Sequence, residues 1–218
     1  KVVARLCASV YIMGSMRVTS EEQLRGIVGH PVEMVVNKVR ASLSPVHMEW
    51  LTATPMIFLA TSDAHGRVDV SPKGDPAGMV VHIIDEHTIA IPERPGNKRV
   101  DGYLNILSNP HVGTIAVIPG RGDTLRINGS ARIVDDADYF DDLAVKGNRP
   151  ILAVEVDVEE VFFHCSKAFL RSDLWKPETW HPEQLPSTAK LTAMLMPELD
   201  ESYLEERYAE SNYRKMLY

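Results

Sequence analysis

Between residues 55 and 163 the chain is cut into short apolar runs of strand length, each ended by a turn signal. No other feature constrains the fold as strongly. Residues 56–60 are wholly apolar, residues 67–71 alternate polar and apolar, and Asp63-Ala64-His65-Gly66 turns one into the other, which is a hairpin pattern. Residues 72–78, with two prolines and two glycines, read as a loop. Further strands are expected at 79–84, 88–91, 111–118, 124–134 and 151–163. In the last of these Leu152, Val154, Val156 and Val158 share one face. Short strands joined mostly by tight turns predict a mainly β fold with flanking helices (α+β), an antiparallel barrel or sandwich.

Helices are expected around it. Thr19 and Ser20 ahead of Glu22 and Gln23 form a capping arrangement, and Gly29 stops the helix. Pro31 opens a second helix, with Val32, Val35, Val36 and Val39 on one face, and Ser44-Pro45 a third that runs through Trp50. A fourth places Val100, Tyr103, Leu104 and Leu107 inward and ends at Asn109-Pro110, and residues 137–145 read as another. Leu191, Met194 and Leu195, then Tyr203, Leu204 and Tyr208, mark a helical tail that packs on the barrel or on a second subunit. The domain reading is an extension at 1–15 with Met16 as the natural start, N-terminal helices at 16–54, a barrel at 55–180 and the tail at 181–218.

A chain of 218 residues has enough length for one real core. Its 44% apolar and 24% charged residues exclude wholesale disorder, collagen and coiled coil. No apolar run reaches membrane-spanning length. The two cysteines, Cys7 and Cys165, are far apart and outside any C-x-x-C pair, so neither a disulfide framework nor a cysteine zinc site is expected, and the setting reads as cytoplasmic. The histidines lack metal-ligand spacing, Gly120-Arg121-Gly122 reads as a hairpin turn, and the Asn128-Gly129-Ser130 sequon sits mid-strand. Neither a metal site nor a catalytic residue is assigned.

Acidic residues outnumber basic ones 30 to 23, for a net charge of -7, which argues against a polyanion partner such as nucleic acid. Arg94, Lys98 and Arg99 nevertheless crowd around Pro95-Gly96-Asn97 ahead of a helix, and Lys73 ends a strand beside Ser71 and Gly74. A helix N-terminus with arginine and lysine suits one phosphate. The expectation is that Lys73 and the 94–99 loop clasp it together.

These residues also carry a resemblance. Phe58-Leu59-Ala60-Thr61-Ser62 followed by Asp69-Val70-Ser71-Pro72-Lys73-Gly74-Asp75 resembles the first flavin-contacting hairpin of the pyridoxamine 5'-phosphate oxidase-like family. Ile91-Pro92-Glu93-Arg94-Pro95-Gly96-Asn97-Lys98-Arg99, with Asn105 and Asn109-Pro110, resembles its phosphate-binding segment. Leu125-Arg126-Ile127-Asn128-Gly129-Ser130-Ala131 resembles its next core strand. Phe163-His164-Cys165-Ser166-Lys167-Ala168, Arg171-Ser172 and Leu174-Trp175 resemble the C-terminal motif of an FMN-binding branch.

The resemblance implies an FMN-binding antiparallel split β-barrel, a homodimer with flavins at its interface, and an oxidoreductase acting on a small organic substrate. The same fold also serves carriers of flavin, deazaflavin or haem. Carried over residue by residue, Thr61, Ser62, Arg67 and Val70 border the flavin. Ser71 and Lys73 lie near the phosphate or ribityl chain, and Asn97, Lys98 and Arg99 hold the phosphate. Lys167 and Arg171 reach the flavin of the partner. The arginine and histidine pattern with which the oxidases themselves grip substrate phosphate does not follow Trp175, so the resemblance does not extend to their substrate.

Overall fold

The computed structural model describes residues 17–218. The expected extension at 1–15, Met16 and Cys7 lie outside the described residues. The chain divides into two compact units, meeting between Asn37 and Lys38.

In the first unit, α1 (Glu21–Val28) starts where Ser20 Oγ accepts from Gln23 N–H at 3.2 Å. It ends at Gly29, whose positive φ of 77° is a conformation glycine adopts without penalty. The second helix, α2 (Glu33–Asn37), is shorter than its valine pattern suggested and stops before Val39. Val32, Val35 and Val36 stay exposed, so within this unit no packing rewards extension of the helix.

The second unit opens with α3 (Pro45–Ala53), which begins after Ser44 as expected. His47 Nδ1 accepts from the Ser44 N–H at 3.2 Å. Burial, and then the Arg40 charge, lower the pKa of this imidazole, which favours the neutral ring that can accept.

Seven strands follow: β1 (Met56–Ser62), β2 (Val68–Gly74), β3 (His82–Ile83), β4 (Thr88–Glu93), β5 (His111–Val117), β6 (Thr124–Val134) and β7 (Leu152–His164). They form one sheet in the order β2-β1-β5-β6-β7-β4-β3, antiparallel at every pairing. The sheet curls into a half-barrel with flanking helices, the split-barrel architecture expected from the sequence. Ile57 and Leu59 of β1, Leu125 and Ile127 of β6, and Val154 and Val156 of β7 fill its inner side with Leu51 of α3. Each such side chain contributes about 1.5–3 kcal/mol by leaving water.

Three local expectations fail. Pro72, Lys73 and Gly74 continue β2, which puts Lys73 near the strand end as its motif suggested and overturns the loop reading of 72–74, because β1 pairs with them as far as Met56. Residues 79–84 give only the two-residue β3. Residues 137–145 form one 3-10 turn, Asp138–Phe140, not a helix. That segment spends its groups elsewhere: the Leu143 carbonyl accepts from Arg94 Nη2, and Phe140 and Leu143 are buried. Phe140 covers Ala90 and Ala153 on the outer side of the sheet, so β4 is buried on both faces.

The alternation along β7 also breaks. Asn128 pairs with Glu160 but Gly129 pairs with Val158, so Glu159 is an extra residue in a β-bulge. Beyond it Val161, not an even-numbered residue, turns inward. After β4, α4 (Asp101–Ser108) buries Ile106 and half-buries Tyr103, while Leu104 and Leu107, expected inside, are exposed. After β7 come α5 (Lys167–Ser172), α6 (Thr188–Leu195), α7 (Glu201–Tyr208) and α8 (Glu210–Tyr213). The tail does pack on the barrel of its own chain: Tyr218 Oη donates to Asp75 Oδ1 at 2.8 Å.

Candidate functional site

Two cavities flank the β2 edge. The first, of about 600 Å³, lies between the β1–β2 hairpin and α4. Arg67, Val68 and Asp69 line it on one side, and Arg99, Asp101 and Asn105 on the other. Asp63 shapes the hairpin by accepting from the Arg67 and His65 N–H groups at 2.9 and 2.8 Å. Those bonds, the one from Arg67 N–H first, hold its carboxyl below the usual range. Arg67 Nε meets Asp63 at 2.7 Å and Arg99 Nε meets Asp101 at 2.8 Å, and both guanidinium groups stay largely exposed. Asn97 Oδ1 accepts from Arg99 N–H at 2.9 Å, which shapes the loop. Lys98 adopts a φ of 62° there, left-handed backbone that a side-chain-bearing residue seldom takes.

Thr61 and Ser62 back this cavity. Thr61 is buried and accepts from Asn105 Nδ2 at 3.1 Å, and Ser62 Oγ accepts from Asn109 Nδ2 at 2.9 Å. Asp69 Oδ2 lies 3.3 Å from where a Cβ on Gly102 would stand, so a carboxylate already occupies the first turn of α4.

The second cavity, of about 450 Å³, lies between the ends of β2 and β4 and the C-terminal segment. Lys73 is here, and so is Asn97. Lys73 does not join Arg99 in clasping one group. Its Nζ lies 2.5 Å from Glu93 Oε2 and 3.0 Å from Tyr103 Oη, and Tyr103 Oη donates to the same Glu93 oxygen. Burial, then Glu93, push the Tyr103 phenol well above its ordinary range, so it remains the donor. Arg94 is likewise spent: its Nε lies 2.7 Å from Asp75 Oδ2, with 11% and 3% of the two side chains exposed. The sequence reading missed these two carboxylates. The only available signal was that Asp75 and Glu93 stand inside the same motifs as Lys73 and Arg94.

The remaining candidates lie apart. Val70 points outward from β2 and is exposed, and Ser71 is half-buried on the opposite side. Lys167 and Arg171 sit exposed on α5, beside the β5–β6 turn, where a Cβ on Gly122 would strike Ser166 Cβ at 2.7 Å. Thr124 pairs with His164 at that end of the sheet, whereas His111 pairs with Ser130 at the end nearer Ser62 and the hairpin. Within one copy, α5 does not meet Arg67. Trp175 and Trp180 pack locally, donating to the Arg121 and Leu174 carbonyls at 2.6 and 2.9 Å.

A seven-stranded antiparallel half-barrel with flanking helices defines the split-barrel class of fold. Residues 43–165, more than half of the chain, match the family profile described as pyridoxamine 5'-phosphate oxidase, and the chain belongs to that family. No curated protein matches it. Among solved structures it is similar to a putative pyridoxamine 5'-phosphate oxidase from Lactobacillus delbrueckii, with 25% identity over 56% of this chain and 95% of that one, at a TM-score of 0.44. HupZ from Group A Streptococcus shows 19% identity over 56% and 93%, also at 0.44. An FAD-binding protein from Mesorhizobium loti shows 18% identity over 57% and 94%, at 0.39. Among the described residues no helix is long and apolar enough to cross a membrane, and no cluster of histidine, cysteine and carboxylate side chains forms a metal site.

Proposed function

We propose that the chain is an FMN-binding flavoprotein, a homodimeric oxidoreductase for a small organic substrate, with the cofactor phosphate in the Arg67–Arg99 cavity. The observation that carries this reading is the convergence of two exposed guanidinium groups and the first turn of an eight-residue helix on one space of about 600 Å³. The residues fit a phosphate on two conditions. Arg67 and Arg99 must leave Asp63 and Asp101, and exposed ion pairs of this kind contribute little, so a doubly charged phosphate displaces them. The Asp69 carboxylate must also turn away from the first turn of α4. Thr61 and Ser62 stand behind the phosphate on β1 and Lys98 adds a charge from the loop, whereas Val70 and Ser71 face opposite sides of β2 and do not both border one cofactor within a single copy. Lys73 and Asn97 belong to the second cavity. Bound flavin supplies electron and hydride transfer, while the protein binds, orients and shields it. Lys167 and Arg171 are assigned to the cofactor of the second copy.

Support for the second copy comes from the outer side of the sheet. Phe58, its partner Ile115 on β5, and Val68 and Val70 on β2 are all exposed there, in a patch too apolar for a surface meant to stay in water.

Titration of FMN followed by flavin fluorescence tests the phosphate site. Arg99→Ala is expected to weaken binding by about tenfold or more, and Asp101→Asn to tighten it by releasing Arg99. Wild-type affinity in Arg99→Ala would mean that the phosphate lies elsewhere. Measured mass in solution tests the dimer: Ile115→Asp is expected to give monomers at concentrations where the wild type pairs, and a monomeric wild type that holds FMN would sink the shared site.

A further inference from the structure

The second cavity shares no lining residue with the proposed phosphate site. Its barrel wall is apolar at Pro72, Val80 and Pro92. The charges on that wall are already matched, Lys73 with Glu93 and Arg94 with Asp75. That side therefore offers shape and hydrogen bonding without net charge.

The C-terminal segment forms the facing wall. Tyr218 holds it in place: its hydroxyl donates to Asp75, and its ring lies 5.8 Å from Arg94 Cζ and 5.4 Å from Lys146 Nζ. Tyr213, Met216 and Leu217 line the space and keep 48%, 48% and 41% of their surface exposed, apolar area awaiting a cover. Arg207 on α7 is the one cation of the lining that makes no hydrogen bond or ion pair among the described residues.

We propose that this cavity binds a small planar organic monoanion, an aromatic carboxylate, with Arg207 taking the carboxylate and the Tyr213–Leu217 wall covering the ring. A volume of about 450 Å³ falls in the ordinary range for such ligands. A guanidinium fork matches a carboxylate in both shape and charge. A phosphate ester would bring two negative charges to a single free cation, and a neutral ring would draw nothing from that cation. In this arrangement the tail is the selectivity wall of the protein, built from residues outside the span that matches the family.

Isothermal titration of 2-naphthoate and of neutral 2-naphthylmethanol into the 218-residue chain, with and without added FMN, tests this. The anion is expected to bind under both conditions, and about tenfold more tightly than the alcohol. Arg207→Ala should bring the anion down to the affinity of the alcohol, and Arg207→Lys should retain part of the preference. Arg207 is exposed, so its loss leaves the core intact. The inference is overturned if 2-naphthoate does not bind, if wild type takes both compounds equally, if Arg207→Ala leaves the anion's affinity unchanged, or if FMN expels the anion. A chain that takes up no FMN but still prefers 2-naphthoate would refute the flavin reading and leave this one standing.

Discussion

Gly129→Ala is expected to prevent folding, or to cost more than about 3 kcal/mol where the chain still folds. A Cβ at this position would stand 2.0 Å from the Asp157 carbonyl oxygen and 3.2 Å from Val156 Cγ1. The first of these neighbours is backbone of β7 and cannot step aside as a side chain tip does. Relief requires β6 and β7 to part at the bulge, where the longest ladder of the sheet changes register. Gly113→Ala is the control, because its Cβ would meet only the Asn128 side-chain oxygen, at 3.2 Å. Urea denaturation of both variants decides the matter. Similar, small losses in the two would mean that the bulge is softer than its geometry implies.

Arg94→Ala should cost about 3–5 kcal/mol, since it strands the Asp75 carboxylate in a site from which water is largely excluded. The loss spreads beyond the pair. Arg94 also donates to the Leu143 carbonyl at 2.8 Å, and Asp75 receives the Tyr218 hydroxyl, so one guanidinium ties the β4 end to the 137–145 segment and to the tail. The double variant Asp75→Asn/Arg94→Leu removes the uncompensated charge and is expected to recover a good part of the stability. Denaturation midpoints, with limited proteolysis of the tail, read both effects. An Arg94→Ala protein within about 1 kcal/mol of wild type would reduce the pair to a surface contact.

The strands of the half-barrel were legible because their side chains obey local rules. Alternation at 67–71 and 124–134, and turn residues such as Gly66 and Gly120, both at positive φ, announce strand and turn without help from distant chain. Local rules fail where a distant group decides. The prolines and glycines of 72–78 point to a loop, and it is pairing with β1 that holds Pro72 to Gly74 in β2. Nothing near 137–145 says that Arg94 will take the Leu143 carbonyl or that Phe140 will seat against Ala90 and Ala153.

The candidate site divides the same way. Its residue types were readable, because arginine, lysine and glycine ahead of a helix suit an anion wherever they stand. Their allegiances were not. Lys73 and Arg99 were expected on one phosphate, yet Lys73 is held by Glu93 and Tyr103 in one cavity while Arg99 meets Asp101 in another. The apolar stripes of the tail signalled that it packs, but not that Arg207 and Tyr218 would wall a cavity, which exists because the tail returns to β2 and β4.

By itself the sequence determined the fold class and the segments that carry charge, because periodicity, turn chemistry and residue type are local properties of the chain, and its motifs carried the resemblance to the family. Only the tertiary structure decided which charges remain free to meet a ligand. An ion pair is formed by whichever opposite charge the fold brings within about 4 Å, and that partner can lie 19 or 20 residues away, as Asp75 and Glu93 do.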